Sequence, residues 1–279
     1  MQLYSINTGH FKLDGGAMFG VVPKSLWNKV NPADNNNMCS WAMRCLLVQD
    51  GKRLILIDNG MGNKQDDKFF GYYYLHGNDT LDKSLAKHGF HRDDITDVFL
   101  THLHFDHCGG SIEYNADRTK LTPAFKNATY WSNNKHWDWA MNPNPREKAS
   151  FLKENILPIQ ESGQLKFIDG TQELIPGFKI QEVFGHTEAM MLPLITYKNT
   201  TIAFMADLIP SAGHLPIPYV MGYDMRPLNT LQEKELMLKQ ALENNCTLFF
   251  EHDPTIECCS LIRTERGIKM DKSFDLKEL

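Results

Sequence analysis

The sequence predicts an α/β protein arranged as a four-layer α/β/β/α sandwich. Two observations point there. Both halves of the 279-residue chain combine β-rich runs with helical segments, and no linker-like break divides them, so a single domain over residues 1–279 is expected. In both halves, strand-like segments also run out in His or Asp side chains, which suggests two sheets meeting at one edge around a shared site.

The elements follow in order. "AMRCLLVQDGKRLILIDNG" reads as two strands joined by Asp50-Gly51, a dipeptide favoured in tight hairpins. "TLDKSLAKHGF" reads as a helix with Leu81, Leu85 and Ala86 on one face and Gly89 as its stop. "ITDVFLTHLHFDH" is a short buried strand running into a loop. In the second half, "FKIQEVFGHTEA" precedes a hairpin from Met191 to Met205 that turns at Lys198-Asn199. "TLQEKELMLKQALENN" is a helix, with Thr230 and Glu233 as a capping box and Leu231, Leu238, Ala241 and Leu242 along one face. "CTLFFEHDP" is a strand ending at His252, and "IECCSLIRT" with "GIKM" forms a closing hairpin.

Composition narrows the function. A chain 42% hydrophobic and 23% charged has enough apolar residues for a sizeable core. A net charge of -5 and the lack of any Lys/Arg run argue against a nucleic-acid partner. No basic start leads into an apolar run, and no segment approaches the roughly 18 apolar residues of a membrane span, so a cytoplasmic protein is expected. Six sparse cysteines without Cys-x-x-Cys spacing read as reduced, mostly buried thiols.

The chemistry concentrates in "FLTHLHFDHCGG", where His102, His104, Asp106 and His107 crowd six positions. That exceeds what one structural zinc takes from a single loop. In an extended segment His102, His104 and Asp106 point to one side, and a bend before Gly109 and Gly110 turns His107 in. His102 and His104 can then share one ion while Asp106 and His107 reach another. The later strand ends supply closure: His186 for the first ion, His252 for the second, and the Asp207 carboxylate as a bridge. Two divalent ions bridged by a carboxylate and a hydroxide form a hydrolytic site. With N and O ligands only, zinc is the default, and manganese, iron or cobalt also fit.

The pattern H-x-H-x-D-H-x-G-G, then Gly-His-Thr, then strand-end Asp and His, resembles the metallo-β-lactamase superfamily from about Ala42 to His252. The segments "GGAMFGVVPKSLW" and "ADLIPSAGHLPIPYVMGYD" are similar to the branch that holds quorum-quenching N-acyl-homoserine lactonases and methyl parathion hydrolase-type phosphotriesterases. The resemblance implies the metallo-β-lactamase fold, a dinuclear centre and attack of a metal-bridging hydroxide on a lactone or other ester. It also implies a small-molecule substrate and, by family alone, a homodimer. Asp106, or a water it orients, is the candidate for protonating the leaving alkoxide.

Two departures bear on this reading. The family run Gly-His-Thr-Pro-Gly-His is "GHTEAMM" here, so Glu188, Ala189 and Met190 imply changed loop support around an intact His186. Many lactonases of the superfamily place a substrate-contacting Tyr three residues after the bridging Asp, where this chain has Pro210. His214 and Tyr223 are the nearest polar candidates for that role.

Plainer readings stand beside these. Asp106 would serve as a helix N-cap, His214 as a hydrogen-bonded loop residue, and Cys108 as a small buried residue. Trp131, Trp137 and Trp139 read as core or pocket wall, while Phe19, Trp27 and Tyr72 to Tyr74 read as either lid or packing. Phosphotriester hydrolysis is the close alternative to lactone opening, with other carboxylic ester or thioester hydrolysis behind it. An exported β-lactamase, RNA processing and a non-catalytic metal-binding module fit less well.

Overall fold

The computed structural model describes residues 1–279 and divides them into two compact units. The first comprises Met1–Gly9 and Met43–Asp169, the second His10–Ala42 and Gly170–Leu279.

The first unit is built on a six-stranded sheet in the order Gln2–Asp14, Met38–Asp50, Arg53–Ile57, Asp97–Phe99, Thr129–Ser132 and Leu165–Phe167. Its first two strands continue into residues of the second unit. The Asp50-Gly51 hairpin forms as expected, with Asp50 opposite Arg53 and Gly51 at φ 58°. Central strands Arg53–Ile57, Asp97–Phe99 and Thr129–Ser132 pair in parallel, which requires crossovers and burial on both faces. Leu54, Leu56, Val98, Leu100, Phe125 and Tyr130 accordingly sit in one core with Ile156 and Ile159 of helix Lys153–Glu161.

Helix Leu81–Lys87 is capped by the Thr80 hydroxyl and stopped at Gly89, as the sequence predicts. Its inner face differs by one position. Ser84 is buried beside Leu81 and Leu85 and donates to the Asn7 carbonyl, while Ala86 is exposed.

The second unit is built on a seven-stranded sheet in the order Gly267–Phe274, Cys258–Thr264, Thr247–Phe249, Thr200–Phe204, Met190–Tyr197, Phe178–Val183 and Glu173–Ile175. The Lys198-Asn199 turn and the closing hairpin are both present. Only Thr200–Phe204 and Thr247–Phe249 pair in parallel, bridged by the long helix Pro227–Glu243.

That helix begins earlier than the sequence pattern suggests. Pro227 occupies its first turn, where a fixed φ and a missing N–H cost nothing, so Thr230 and Glu233 fall inside the helix and form no capping box. Thr230, Lys234, Met237, Leu238 and Ala241 make its buried stripe. Lys234 is tolerated there because its Nζ donates to the carbonyls of Pro216, Ile217 and Tyr219 at 3.1, 3.3 and 2.7 Å. Burial nonetheless pushes its ammonium down to about 7.

Phe19 and Trp27 are packed rather than lid-like, stacked at 5.5 Å and almost fully enclosed. Tyr72 and Tyr74 are 62% and 52% exposed. The six cysteines are free thiols, five of them buried. No helix is long and apolar enough to cross a membrane.

Candidate metal centre

In the first unit, the strand Asp97–Phe99 delivers the chain to His102 and His104, and the next residues form the helical turn Phe105–Cys108. The N-cap of that turn is His104, so Asp106 lies inside the helix and is not its cap. Helical rather than extended geometry is what brings Asp106 and His107 to one side, with Asp106 Oδ2 3.8 Å from His107 Nε2. His102, His104, Asp106 and His107 are all buried.

Each of these imidazoles has one nitrogen committed to an anchor. Asp58 accepts from Thr101 N at 2.8 Å and Thr101 Oγ1 at 2.6 Å, and from His107 Nδ1 at 3.1 Å. Because the Thr101 hydroxyl proton is spent on Asp58, that oxygen can only accept from His102 Nδ1, at 3.0 Å. His104 reverses the pattern, with Nε2 donating to Glu147 Oε1 at 3.0 Å. Trp139 Nε1 and Asn144 Nδ2 hold the other oxygen of Glu147 at 2.6 and 3.2 Å. In the neutral imidazoles the remaining nitrogens, His102 Nε2, His104 Nδ1 and His107 Nε2, carry lone pairs, and the first two of these lie 3.1 Å apart.

A backbone splint runs along this loop. Asn59 N donates to the His107 carbonyl and Gly110 N to Gly60, both at 2.9 Å, and Lys64 Nζ donates to Gly109 O at 2.5 Å. The glycine pair is needed for this closeness: a Cβ on Gly109 would meet Met61 O at 2.2 Å, and one on Gly110 would meet Asn59 O at 2.3 Å. His136, a buried residue, accepts from Leu103 N at 2.8 Å and braces the loop from behind.

The second unit carries His186, Asp207 and His252, also buried. His186 Nδ1 donates to Asp224 Oδ1 at 2.9 Å, and His252 Nδ1 donates to the Ala42 carbonyl at 2.8 Å. The opposite nitrogens face one carboxylate from two sides. Asp207 Oδ2 is 3.1 Å from His186 Nε2, and Asp207 Oδ1 is 3.1 Å from His252 Nε2. Burial works against charge on His186, but Asp207 and Asp224 outweigh it and hold its pKa up at about 10.

The donor chemistry fits divalent metal ions. Paired lone pairs at 3.1 Å, and lone pairs set against carboxylate oxygens, are repulsive unless a cation or proton sits between them. All donors are N or O, and every imidazole is pre-oriented by a hydrogen bond to a carboxylate, hydroxyl or carbonyl.

The remaining candidates lie elsewhere. His214 is enclosed: Nδ1 bonds with Ser211 Oγ at 2.8 Å, Nε2 donates to the Met18 carbonyl at 2.9 Å, and the ring stacks on Phe19 at 4.3 Å. Burial pushes its pKa down to about 3, so it is neutral. Tyr223 is 38% exposed. Sequence reasoning missed Asp58, Glu147 and Asp224. Two of them carried a signal, since Asp58 ends a strand-like run and Asp224 adjoins Tyr223.

Comparison with known proteins agrees with this architecture. The model of the metallo-beta-lactamase superfamily matches residues 44–252. An N-acyl homoserine lactonase from a Bacillus species is 24% identical over 284 aligned positions, covering 96% of each chain. The N-acyl homoserine lactonase AiiA from Bacillus thuringiensis subsp. kurstaki is 25% identical, covering 90% of this chain and 93% of its own. Among solved structures, a probable metal-dependent hydrolase from Staphylococcus aureus superposes with a TM-score of 0.89 at 28% identity, covering 100% of this chain and 98% of that one. AidC, a dizinc quorum-quenching lactonase, gives a TM-score of 0.79 at 25% identity, covering 98% and 94%. The expected metallo-β-lactamase fold is thus the observed one, and the chain belongs to the metallo-β-lactamase superfamily of hydrolases.

Proposed function

We propose that the two groups of anchored ligands act as one domain to hold two divalent ions, zinc in the first instance, and open the ring of an N-acyl-homoserine lactone. His102, His104 and His186 are assigned to one ion, Asp106, His107 and His252 to the other, and Asp207 to both. The observation that carries the reading is Asp207, whose two oxygens face two different imidazole nitrogens, as a carboxylate shared by two ions requires. The substrate class rests on relatives named as N-acyl homoserine lactonases that align along nearly the whole chain.

Two bound divalent ions would supply a nucleophile ionised near neutral pH and Lewis-acid polarisation of the carbonyl. The protein's own part is orientation and proton transfer. The anchors Asp58, Thr101, Glu147, Asp224 and Ala42 fix which nitrogen of each imidazole faces the centre. Asp106, buried beside His107, would take the proton released by the attacking oxygen and deliver it, directly or through a water it orients, to the departing ring oxygen. His214, with both nitrogens engaged, holds the Met18 carbonyl and the Phe19 ring in place, and Tyr223, 38% exposed, is assigned to substrate contact. The reading carries a cytoplasmic enzyme acting on a small molecule, homodimeric by family resemblance, with no nucleic-acid partner.

Metal content and turnover of a panel of homoserine lactones and an aryl phosphotriester test this, with Asp207→Ala beside wild type. The expected result is two ions per chain, lactone turnover well above triester turnover, and loss of more than about 100-fold in the variant. Triester hydrolysis without lactone activity would reassign the substrate, and hydrolysis unaffected by Asp207→Ala would remove the dinuclear site.

A further inference from the structure

The loop that presents His186 lacks the Pro-Gly of the family run, and Ala189 sits at φ 49°, a conformation suited to glycine. Its bracing comes from the start of the long helix. Glu233 accepts from Phe184 N and Gly185 N at 2.7 and 2.9 Å. Arg226 N donates to Gly185 O at 2.8 Å and Met225 N to His186 O at 3.1 Å. The Arg226 guanidinium then spans the loop, with Nη1 on Phe184 O at 2.7 Å and Nη2 on Glu188 Oε2 at 2.6 Å. Two residues before Arg226, Asp224 takes the Nδ1 proton of His186.

We propose that Arg226, gripping Phe184 and Glu188 at once, is a positioning residue that fixes His186 and so sets the affinity of the ion His186 binds. The inference rests on the dinuclear reading above and adds to it a support for the loop that presents His186. Arg226 and Glu188 side chains are 34% and 24% exposed, so their ion pair is screened and adds little to global stability. Its effect is directional: one planar fork joins both ends of a five-residue loop, which a lysine ammonium does not reproduce. Anchoring groups of this kind change metal affinity by about 10–100-fold when removed.

The test uses Arg226→Lys and Glu188→Gln, with zinc affinity read by competition against a chromophoric chelator. In the metal-free chain, the low-field proton signal of His186 Nδ1–H is followed by NMR. The expected result is one of two zinc equivalents weakened about tenfold or more in both variants, the other unchanged. The metal-free melting temperature stays within a few degrees of wild type, and the His186 proton signal, sharp in wild type, broadens in both variants. Affinities equal to wild type with an unchanged signal would overturn the proposal. So would equal weakening of both equivalents alongside a large drop in melting temperature, which marks a merely structural role. Fewer than two ions on wild type would refute the dinuclear reading instead. The clamp is then judged on the proton signal alone: broadening in the variants carries it and an unchanged signal overturns it.

Discussion

Asp58 receives the Nδ1 proton of His107 at 3.1 Å, with both residues fully buried. The carboxylate also takes both donors of Thr101, and through that hydroxyl it sets the tautomer of His102. One side chain thus aims two imidazoles. It does so from a left-handed backbone, φ 54°, which Asp and Asn tolerate better than most residues.

Asp58→Asn keeps that backbone and the approximate shape but replaces an acceptor-only group with one that also donates. We expect the variant to fold, with metal affinity about 10–100-fold weaker. Circular dichroism checks the first point and chelator competition the second. Unchanged affinity would mean that Asp58 supports the strand end and does not tune the ligands.

How much of this was legible in the sequence depends on how local each signal is. The Asp50-Gly51 and Lys198-Asn199 turns were, because turn chemistry is written in two residues, and the seven residues proposed as ligands stand out because four of them crowd one short motif and three follow strand-like runs. The anchors were not. Asp58 and Glu147 lie far from the motif in sequence, and only folding sets them on His107 and His104. At the 223–224 position attention fell on the phenol, while the neighbouring carboxylate holds His186. The capping box failed because Pro227 starts the helix early and leaves Glu233 to serve Phe184 and Gly185 instead.

His214 gives the fold an acid-sensitive element. Burial holds its folded pKa at about 3, with the hydrogen bond to Met18 opposing only in part. In the unfolded chain it titrates near its ordinary value of about 6.5, so between these values the unfolded state binds more protons. Stability contributed by the neutral ring is complete above about pH 6.5 and falls as pH drops towards 3, by up to about 1.4 kcal/mol per pH unit. Urea midpoints at pH 7 and 5 for wild type and His214→Gln should show a shallower decline in the variant. Equal declines would place the acid sensitivity elsewhere.

Gly109→Ala isolates the cost of close backbone approach. The residue sits at φ -61°, which alanine adopts freely, so only the collision with Met61 O penalises it. The expected loss is about 1–3 kcal/mol. Gly51→Ala is the counterpart, because its Cβ would meet nothing within 4 Å and only the positive φ of 58° is strained. Its cost should be about 1 kcal/mol. Urea denaturation of both should find Gly109→Ala the more damaging, and only that variant should also bind metal more weakly, since it displaces the splint on His107. The reverse order would mean that the loop yields at little cost.

Helix Asp67–Tyr73 buries none of its residues, yet Phe69 and Tyr73 set their rings 5.3 and 4.7 Å from Phe105, between His104 and Asp106. Partial burial of the Tyr73 ring and the Asp106 charge push its phenol up to about 12, so it stays neutral beside the ligand loop. Under the lactonase function proposed above, Phe69, Tyr73 and Phe105 offer apolar surface for an acyl tail, where each buried methylene contributes about 0.8 kcal/mol. Phe69→Ala and Tyr73→Ala should therefore raise KM for long-chain homoserine lactones more than for short-chain ones, with smaller effects on kcat. The ratio of KM values between a ten-carbon and a four-carbon acyl substrate is the quantity to measure. A ratio unchanged by either substitution would assign the helix a packing role on Phe105 and leave the acyl tail to another surface.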